Sequence, residues 1–415
     1  MVRWPEIQVD GNWLQKIFNS VVCFQLIRHG DRAPLTTYPT DPYHNYSWPQ
    51  GYGKLINKGK LRLKKVGQYF KGRYRYLTGE DYNHKNVMVH SSYEHRTIQS
   101  AECFLSGYYP PSLTEIWNPY IYWQPIPVHS IPRDMDNIIK RTKNCPRFRL
   151  TVINLYESNT VFQNLCKKYE SLLDYVGNNT GINIMQCNFT TISHLNKIID
   201  SLVVESQFNL TLPSWTSSVY PEPLLSLNTK FLKLQENNSL LQKLQTGPFF
   251  QLILSEMKKK TRNNNFVPAL HLFFGSDTNI MELTSVFKAY NSIRPPYGSS
   301  VAFELRKKND KHYITIVFAN STETTPYLIT VPGCGFRCTM QQFERFTNYL
   351  TSQNWEKECN ENEFTQELIP VTKQSVFSLK MDEFINYKVR YSQWNIVTKI
   401  QKIFRITCPY MRKNI

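Results

Sequence analysis

The apolar residues of this chain form two kinds of pattern. Short apolar runs bounded by turn residues are typical of strands covered on both faces, and five stand out, at 20–28, 86–91, 268–275, 300–305 and 312–319. Between about 113 and 250 the spacing of apolar residues is mainly helical. Strands on both sides of a helix-rich stretch predict an α/β sandwich into which a smaller helical cap is inserted.

These patterns predict four consecutive regions. We expect the first part of the core at 15–112, the cap insertion at 113–250, the second part of the core at 251–362 and a C-terminal extension at 363–415. The 415 residues are enough to bury a large core, and the sequence contains no run of 18 apolar residues that would predict a membrane span. The basic end of the extension, 399–405, fits a surface helix or, alternatively, contact with a membrane surface.

The first predicted strand leads directly into a charged turn, residues 28–34, with the sequence RHGDRAP. Ligands of α/β sheets bind just beyond the carboxyl ends of strands, so this turn lies where a ligand is expected. Arg28 and Arg32 would lower the proton affinity of His29 and attract an oxyanion such as phosphate. A neutral imidazole held there can attack phosphorus and become a phosphohistidine. The alternative is a solvated basic turn with no chemical role.

Further short motifs occur along the chain in a fixed order. They are WPQGYGKL at 48–55 with Gly59-Lys60, GQY at 67–69, SSYEHRT at 91–97 continuing to Ser100-Ala101-Glu102, WQPIPVH at 123–129, LPSW at 212–215, PPYG at 295–298, and VPGC at 331–334 with Cys338. Together with RHGDRAP, this series resembles the histidine acid phosphatases, a branch of the histidine phosphatase superfamily. The resemblance covers about residues 20 to 360. The fold that it implies is α/β, with a central mixed sheet flanked by helices and an inserted smaller helical cap domain, and it agrees with the apolar pattern.

The resemblance implies a role for four residues of the candidate site. His29 matches the nucleophile of the family, Arg28 and Arg32 match its first two phosphate ligands, and Arg96 matches its third arginine. The physical argument agrees, because three guanidinium groups can neutralise the oxygens of a phosphoryl group during its transfer. For Arg96 the alternative is an ordinary ion pair at the end of a strand.

The sequence departs from the family where the family carries a His-Asp pair. Asp277 is present and matches the residue that gives a proton to the leaving alcohol, but Ser276 replaces the histidine. A serine hydroxyl has a shorter reach and carries no charge, so we expect Ser276 to bind substrate less well and phosphatase activity to be weak. The alternative is an inactive secreted protein that keeps the arginines to bind phosphorylated or sulfated ligands.

Nine cysteines are spread along the chain, and their number alone assigns no pairs. The resemblance implies bonds between Cys334 and Cys338 and between Cys145 and Cys359, and we add Cys166 with Cys187 as a further hypothesis. Cys23, in the first predicted strand, is expected to be a free core thiol. Zinc binding is the alternative for any close pair, but the spacing does not match a zinc site, so we expect no metal.

Six Asn-x-Ser/Thr sequons favour passage through the secretory pathway; they begin at Asn45, Asn178, Asn188, Asn209, Asn237 and Asn320. The cysteines point the same way. The first residues, 1–6, show no apolar core or cleavage site of a signal peptide. We give more weight to the sequons and the cysteines, and we expect a secreted or lysosomal glycoprotein.

The net charge is +17, and the densest basic run is 258–262, KKKTR. This run has no interleaved aromatic residues, so we interpret it as a solvated basic surface and expect no nucleic-acid partner. The charge favours anionic substrates instead. We therefore expect an acid phosphatase that acts on small phosphate monoesters without a cofactor, and the resemblance also implies a tendency to form homodimers.

Overall fold

A computed structural model describes residues 20–140, 145–184, 187–262, 267–320 and 325–360. The predicted C-terminal extension and Cys408 lie outside the described residues, as do the predictions made for the amino terminus. Where the chain is described, no helix is both long enough and apolar enough to cross a lipid bilayer.

A single mixed sheet forms the centre of the fold. Its strands are β1 (Ser20–Arg28), β2 (Val87–Ser92), β3 (His129–Ile131), β4 (Leu270–Gly275), β5 (Ser300–Lys308), β6 (Lys311–Ala319), β7 (Tyr327–Ile329) and β8 (Cys338–Thr339). The spatial order is β3-β2-β4-β1-β5-β6-β7, and β8 pairs with β6. Pairing is parallel from β3 to β1 and antiparallel from β1 to β7. The predicted mixed sheet is therefore confirmed, with all five predicted strands.

The two central strands bring two distant parts of the sequence to the same sheet edge. β1 and β4 are parallel and almost entirely buried, and Arg28 at the end of β1 lies opposite Gly275 at the end of β4. The backbone N–H of His29 donates to the carbonyl of Gly275, at 3.0 Å. The charged turn after β1 and the Ser276-Asp277 pair after β4 thus meet at the carboxyl ends of parallel strands, where a ligand site is expected.

Helices cover both faces of the sheet. They are α1 (Asn57–Thr78) and α2 (His95–Tyr108) on one face, and α8 (Ser239–Thr261), α9 (Asp277–Val286) and α10 (Met340–Thr347) on the other, followed by α11 (Trp355–Asn360). Helices α1 and α2 pack very closely at two glycines. A Cβ atom at Gly67 would lie 2.0 Å from the carbonyl oxygen of Phe104, and one at Gly107 would lie 2.1 Å from that of Lys64. Only glycine fits at these two positions.

Besides the apolar residues packed around the sheet, a separate apolar cluster lies within the helical segment between β3 and β4. Its helices are α3 (Pro146–Ser158), α4 (Thr160–Lys168), α5 (Glu170–Thr180), α6 (Phe189–Gln207), α7 (Leu224–Glu236) and the first part of α8. Helix α8 is shared, because Leu241 packs in the helical cluster and Phe249 packs against the sheet. The domain boundaries stay predictions; the predicted end of the cap at 250 falls inside α8, and β3 lies within the predicted cap although it pairs with β2.

Within the described residues, three disulfide bonds join the two pairs implied by the resemblance, Cys145–Cys359 and Cys334–Cys338, and the pair added as a hypothesis, Cys166–Cys187. The first connects the residue before α3 to α11. Cys23 is a buried free thiol in β1, as predicted, and its pKa is raised chiefly by burial. Cys103 on α2 is also a free thiol.

Candidate active site

His29 lies at the start of the turn that follows β1, and it is 2% exposed. Its Nδ1 lies 2.9 Å from the carbonyl oxygen of Gly30. Because a carbonyl oxygen only accepts hydrogen bonds, Nδ1 carries the proton of the neutral ring, and the lone pair is on Nε2. This ring nitrogen is therefore the one available to act as a nucleophile.

The surroundings of His29 keep its imidazole uncharged. Burial lowers its pKa well below the ordinary value, and the positive charges of Arg96, Arg28 and Arg32 lower it further. The hydrogen bond to Gly30 acts in the opposite direction but is outweighed. The imidazole thus keeps its lone pair in acid solution, where an exposed histidine would be protonated.

The turn that carries His29 is fixed by close packing against helices α1 and α2. The N–H of Gly30 donates to the hydroxyl oxygen of Ser100 on α2, at 3.1 Å. A Cβ atom at Gly30 would lie 2.6 Å from the carbonyl oxygen of Gly59 on α1. A larger residue in place of Gly30 would therefore push the nucleophile out of position.

Arg28 is 3% exposed and is held by the PPYG motif. Its Nη1 donates to the carbonyl oxygen of Pro295, and its guanidinium carbon lies 4.0 Å from the centre of the Tyr297 ring. The same ring lies 5.7 Å from the ring of His29, centre to centre. The motif thus positions the guanidinium and the nucleophile together.

Arg32 is 2% exposed and forms a bidentate ion pair with Asp200 of α6, with N–O distances of 2.9 and 2.7 Å. Asp200 also accepts a hydrogen bond from the N–H of Leu35, at 2.9 Å. The helical segment therefore contributes a buried carboxylate to the site. Asp200 was not among the residues predicted for the site; the available signal was an acidic residue among the apolar positions of an amphipathic helix.

Arg96 is the second residue of α2, and its side chain is 14% exposed. Its charge is the strongest single charge that lowers the pKa of His29, which supports the expected position beside the imidazole. Its Nη1 lies 3.4 Å from Glu94, a carboxylate that also lies near Arg133 and Lys140. Since several cations share Glu94, this carboxylate neutralises Arg96 only in part.

Asp277 opens α9 and is 7% exposed. Its Oδ2 lies 3.1 Å from Nη2 of Arg28 and accepts a hydrogen bond from Nε of Arg294. Burial by itself would raise the pKa of this carboxyl, but the charges of Arg28 and Arg294 outweigh burial and hold the pKa well below its ordinary value. To act as an acid, Asp277 must gain a proton when a substrate anion is bound.

Ser276 is the residue before α9, and its side chain belongs to the start of that helix. Both its backbone N–H and its hydroxyl donate to Oδ1 of Asn279, each at 3.0 Å. Its hydroxyl oxygen also lies 2.6 Å from that of Thr278. The predicted contact of Ser276 with substrate stays a prediction, and the hydroxyl would have to leave these partners to make it.

Arg294 is a fourth arginine of the site, and the sequence analysis missed it. Besides its bond to Asp277, both terminal nitrogens lie 3.3 Å from Oδ1 of Asp200. Its side chain is 38% exposed, in contrast to the buried Arg28 and Arg32. The one available signal was its position directly before the PPYG motif.

The site contains no cluster of metal ligands. Among the described residues, no group of three or more His, Cys, Asp or Glu side chains could hold a metal ion. The chemistry that these side chains offer is a neutral nucleophile, an acid and several fixed positive charges, an arrangement suited to phosphoryl transfer.

The similarity of this chain to known proteins extends over most of its length. The family model described as Histidine phosphatase superfamily (branch 2) matches residues 22–319. Lysosomal acid phosphatase of Rattus norvegicus is 34% identical over 339 residues, covering 80% of this chain and 78% of that protein. Prostatic acid phosphatase of Homo sapiens is 32% identical over 338 residues, covering 80% of this chain and 86% of that protein.

The fold is also similar to solved structures. The phytase from Citrobacter braakii aligns with a TM-score of 0.59 at 17% sequence identity, covering 82% of this chain and 99% of that one. A Hafnia alvei phytase aligns equally well, with a TM-score of 0.59 at 17% identity, covering 82% of this chain and 98% of that one. At this level of identity the likeness concerns the fold alone.

Proposed function

The chain belongs to the histidine phosphatase superfamily, branch 2, as its motifs predicted, and on that premise we propose that it is an acid phosphatase working through a phosphohistidine at His29. Its curated relatives are named acid phosphatases, which supports this enzyme class. The observation that carries the mechanism is a buried neutral imidazole beside three arginines and a carboxyl group. The substrates are small phosphate monoesters.

In the first step, Nε2 of His29 attacks phosphorus while the bond between phosphorus and the ester oxygen breaks. Asp277, protonated in the substrate complex, gives its proton to the departing oxygen, so the alcohol leaves neutral. The negative charge of a bound phosphate raises the pKa of Asp277, opposing the effect of Arg28 and Arg294. Acid solution favours this protonated form.

In the second step, water attacks the phosphorus of phosphohistidine and the bond to Nε2 breaks. The carboxylate of Asp277 takes a proton from this water, which regenerates the acid, and His29 is released as the neutral ring. Arg28, Arg32 and Arg96 offset the charge on the phosphoryl oxygens in both steps. Since the low pKa of His29 keeps the imidazole neutral, the nucleophile survives at the acid pH that Asp277 requires.

Ser276 is the reason to propose weakened activity. Loss of one preorganised donor at a transition state costs on the order of 10²- to 10³-fold in rate. An inactive protein that binds phosphorylated ligands is the second candidate, favoured by the engagement of the Ser276 hydroxyl in the start of α9. The presence of both His29 and Asp277 favours the enzyme, because binding alone requires neither a nucleophile nor an acid.

The deciding experiment is hydrolysis of p-nitrophenyl phosphate between about pH 4 and pH 7 by the full chain and by His29→Ala prepared identically. Turnover that disappears in the variant supports the phosphohistidine enzyme. Equal background rates from both proteins would establish the second candidate, provided that inorganic phosphate still binds. Trapping the phosphorylated intermediate by alkaline quench, with the phosphate retained in alkali and lost in acid, identifies the histidine adduct.

We also propose a secreted or lysosomal location and glycosylation at sequons. Disulfide bonds such as Cys145–Cys359 suit an oxidising compartment, and the named relatives include lysosomal proteins. A band shift on treatment of secreted material with a glycosidase would support this proposal, and unglycosylated cytosolic protein would contradict it. Homodimer formation stays a prediction from the resemblance; sedimentation of the purified protein tests it.

A further inference from the structure

Arg294 contacts the residue that protonates the alcohol portion of the substrate in the proposed mechanism. Asp277 gives its proton to the ester oxygen in the proposed mechanism, and Nε of Arg294 donates directly to the Asp277 carboxylate. The Arg294 side chain is 38% exposed, whereas the side chains of Arg28 and Arg32 are 3% and 2% exposed. Arg294 therefore lies on the solvent side of the acid, and the buried arginines lie on the phosphoryl side.

We propose that Arg294 is a specificity-determining residue that binds an anionic group on the alcohol portion of the substrate. The site then prefers phosphate monoesters whose alcohol carries a second negative charge near the ester oxygen. This inference rests on the proposed function and adds the substrate class.

Arg294 has enough N–H donors to bind an anionic group of the substrate in addition to its two carboxylate partners. A guanidinium group has five N–H donors, and the contacts of Arg294 with Asp277 and Asp200 use three of them. The two contacts with Asp200 are long, at 3.3 Å, because that carboxylate is already held by Arg32 at 2.7 and 2.9 Å. Of the two ion pairs that Asp200 forms, the one with Arg294 is therefore weaker than the one with Arg32.

The catalytic cycle itself reduces the charge that balances Arg294. When Asp277 takes up the proton that it will deliver, its negative charge disappears, and among the described residues Arg294 keeps only the shared Asp200 as an anionic partner. A neutral alcohol leaves this cation poorly paired, whereas a carboxylate on the alcohol supplies the missing negative charge. The preference thus arises in the protonated, reactive complex.

The test compares two substrates that differ by one charge and little in size, 3-carboxyphenyl phosphate and 3-carbamoylphenyl phosphate. The measured quantity is the ratio of their kcat/KM values at one pH, so that any change in the pKa of Asp277 affects both substrates alike. We expect the full-length protein to favour the carboxylate about tenfold, the size of one charge-assisted hydrogen bond.

Three variants establish which residue is responsible. Arg294→Gln should lower the ratio about tenfold, and Arg294→Lys, which keeps the charge, should retain most of it. The control is Arg75→Gln, which removes an arginine from α1 whose guanidinium contacts Tyr76, and this variant should keep the ratio unchanged. Melting curves verify that each variant is folded.

The outcomes distinguish failure of the proposed role of Arg294 from failure of the proposed phosphatase function. A full-length protein that hydrolyses both substrates with the same ratio as Arg294→Gln overturns the role of Arg294 and leaves the phosphatase intact. An equal loss of kcat/KM for both substrates in Arg294→Gln also overturns it, since that result places the effect on the shared phosphoryl group or the acid. Hydrolysis of neither substrate contradicts the proposed function itself, and the inference then fails with it.

Discussion

Two buried groups of arginines in this molecule use the same side chain in opposite ways. In the core, Arg73 and Arg306 converge on Glu304 of β5, whose carboxylate also accepts a hydrogen bond from Tyr74 at 2.9 Å. Burial would raise the pKa of Glu304, but the two arginines lower it to about 2. Here arginines make an acid more acidic, and both of them pair with the same buried carboxylate.

In the site, the arginines surround a base instead of an acid. Arg96, Arg28 and Arg32 lower the pKa of His29, so the group at their centre carries no charge to meet theirs. Arg28 and Arg32 also form ion pairs with the carboxylates Asp277 and Asp200. The comparison teaches that the group on which the arginines converge separates a scaffold from a site: around an acid their charge fixes a carboxylate of the fold, and around a neutral base it can also act on a bound anion.

The strongest test of this contrast is His29→Ala. We expect kcat to fall by about 10⁴-fold or more, because no other side chain replaces the nucleophile. The unfolding free energy of the variant, in contrast, should be less sensitive to acid than that of the parent. Because the pKa of His29 is lowered on folding, the unfolded chain takes up a proton below about pH 6.5 and folding is weakened there. The variant should therefore lose less unfolding free energy than the parent between pH 7.5 and pH 5.

The control for the kinetic part of that prediction is His312→Ala, which removes a histidine from β6, away from the site. It should leave kcat unchanged. Urea denaturation at the two pH values and steady-state kinetics measure both effects. If His29→Ala kept the kcat of the parent, the proposed distinction between the two groups of arginines would be wrong.

Asp277→Asn removes the acid and keeps the shape of the site. For alkyl phosphates, whose alcohols are poor leaving groups, we expect kcat to fall on the order of 10³-fold. For p-nitrophenyl phosphate the loss should be smaller, since that leaving group needs little protonation. Asp310→Asn, at an exposed turn, is the control. An equal loss for both substrates would mean that Asp277 positions the arginines and does not donate the proton.

The corresponding test of the scaffold is Glu304→Gln. It leaves Arg73 and Arg306 without their carboxylate, so we expect a loss of about 3 kcal/mol or more in unfolding free energy at pH 7. The pKa of Glu304 is lowered on folding, so this stabilisation is present above about pH 4.5 and is lost only as the pH falls toward about 2. It therefore persists at the acid pH of catalysis.

Glu256→Gln is the control for the scaffold, since Glu256 pairs with the half-exposed Lys259 and should cost less than about 1 kcal/mol. Urea titrations of the three proteins give the free energies. Similar values for the two variants would show that the arginines around Glu304 are satisfied in some other way.

The smallest effect is expected for Ser276→His, which adds an imidazole donor to the site. Turnover should rise about tenfold, while the lost contacts at the start of α9 should lower the unfolding free energy by about 1 kcal/mol. Ser276→Ala separates the two effects, because it removes the hydroxyl without adding a donor. Unchanged turnover in Ser276→His would mean either that the site is already complete or that it is limited elsewhere.

The features that could be predicted from the sequence are those that depend on residues adjacent in the chain. The buried strand β1 and the charged turn after it are continuous in the chain, so their pattern is visible directly. Strand β3 was missed because three residues, two of them exposed, are too short a run to show a pattern. Asp200 and Arg294 were missed for a different reason: each reaches the site only through the packing of α6 or of the segment after α9, which no local pattern records.

The glycine contacts between α1 and α2 have a consequence for how this protein can vary. Gly67 and Gly107 each press against a carbonyl of the opposite helix, and Ser100 of α2 holds the N–H of Gly30, next to the nucleophile. A side chain at either glycine must separate the helices and thereby displace that serine. In a library containing every single substitution, selected for phosphatase activity, both positions should therefore accept glycine alone, although neither touches substrate.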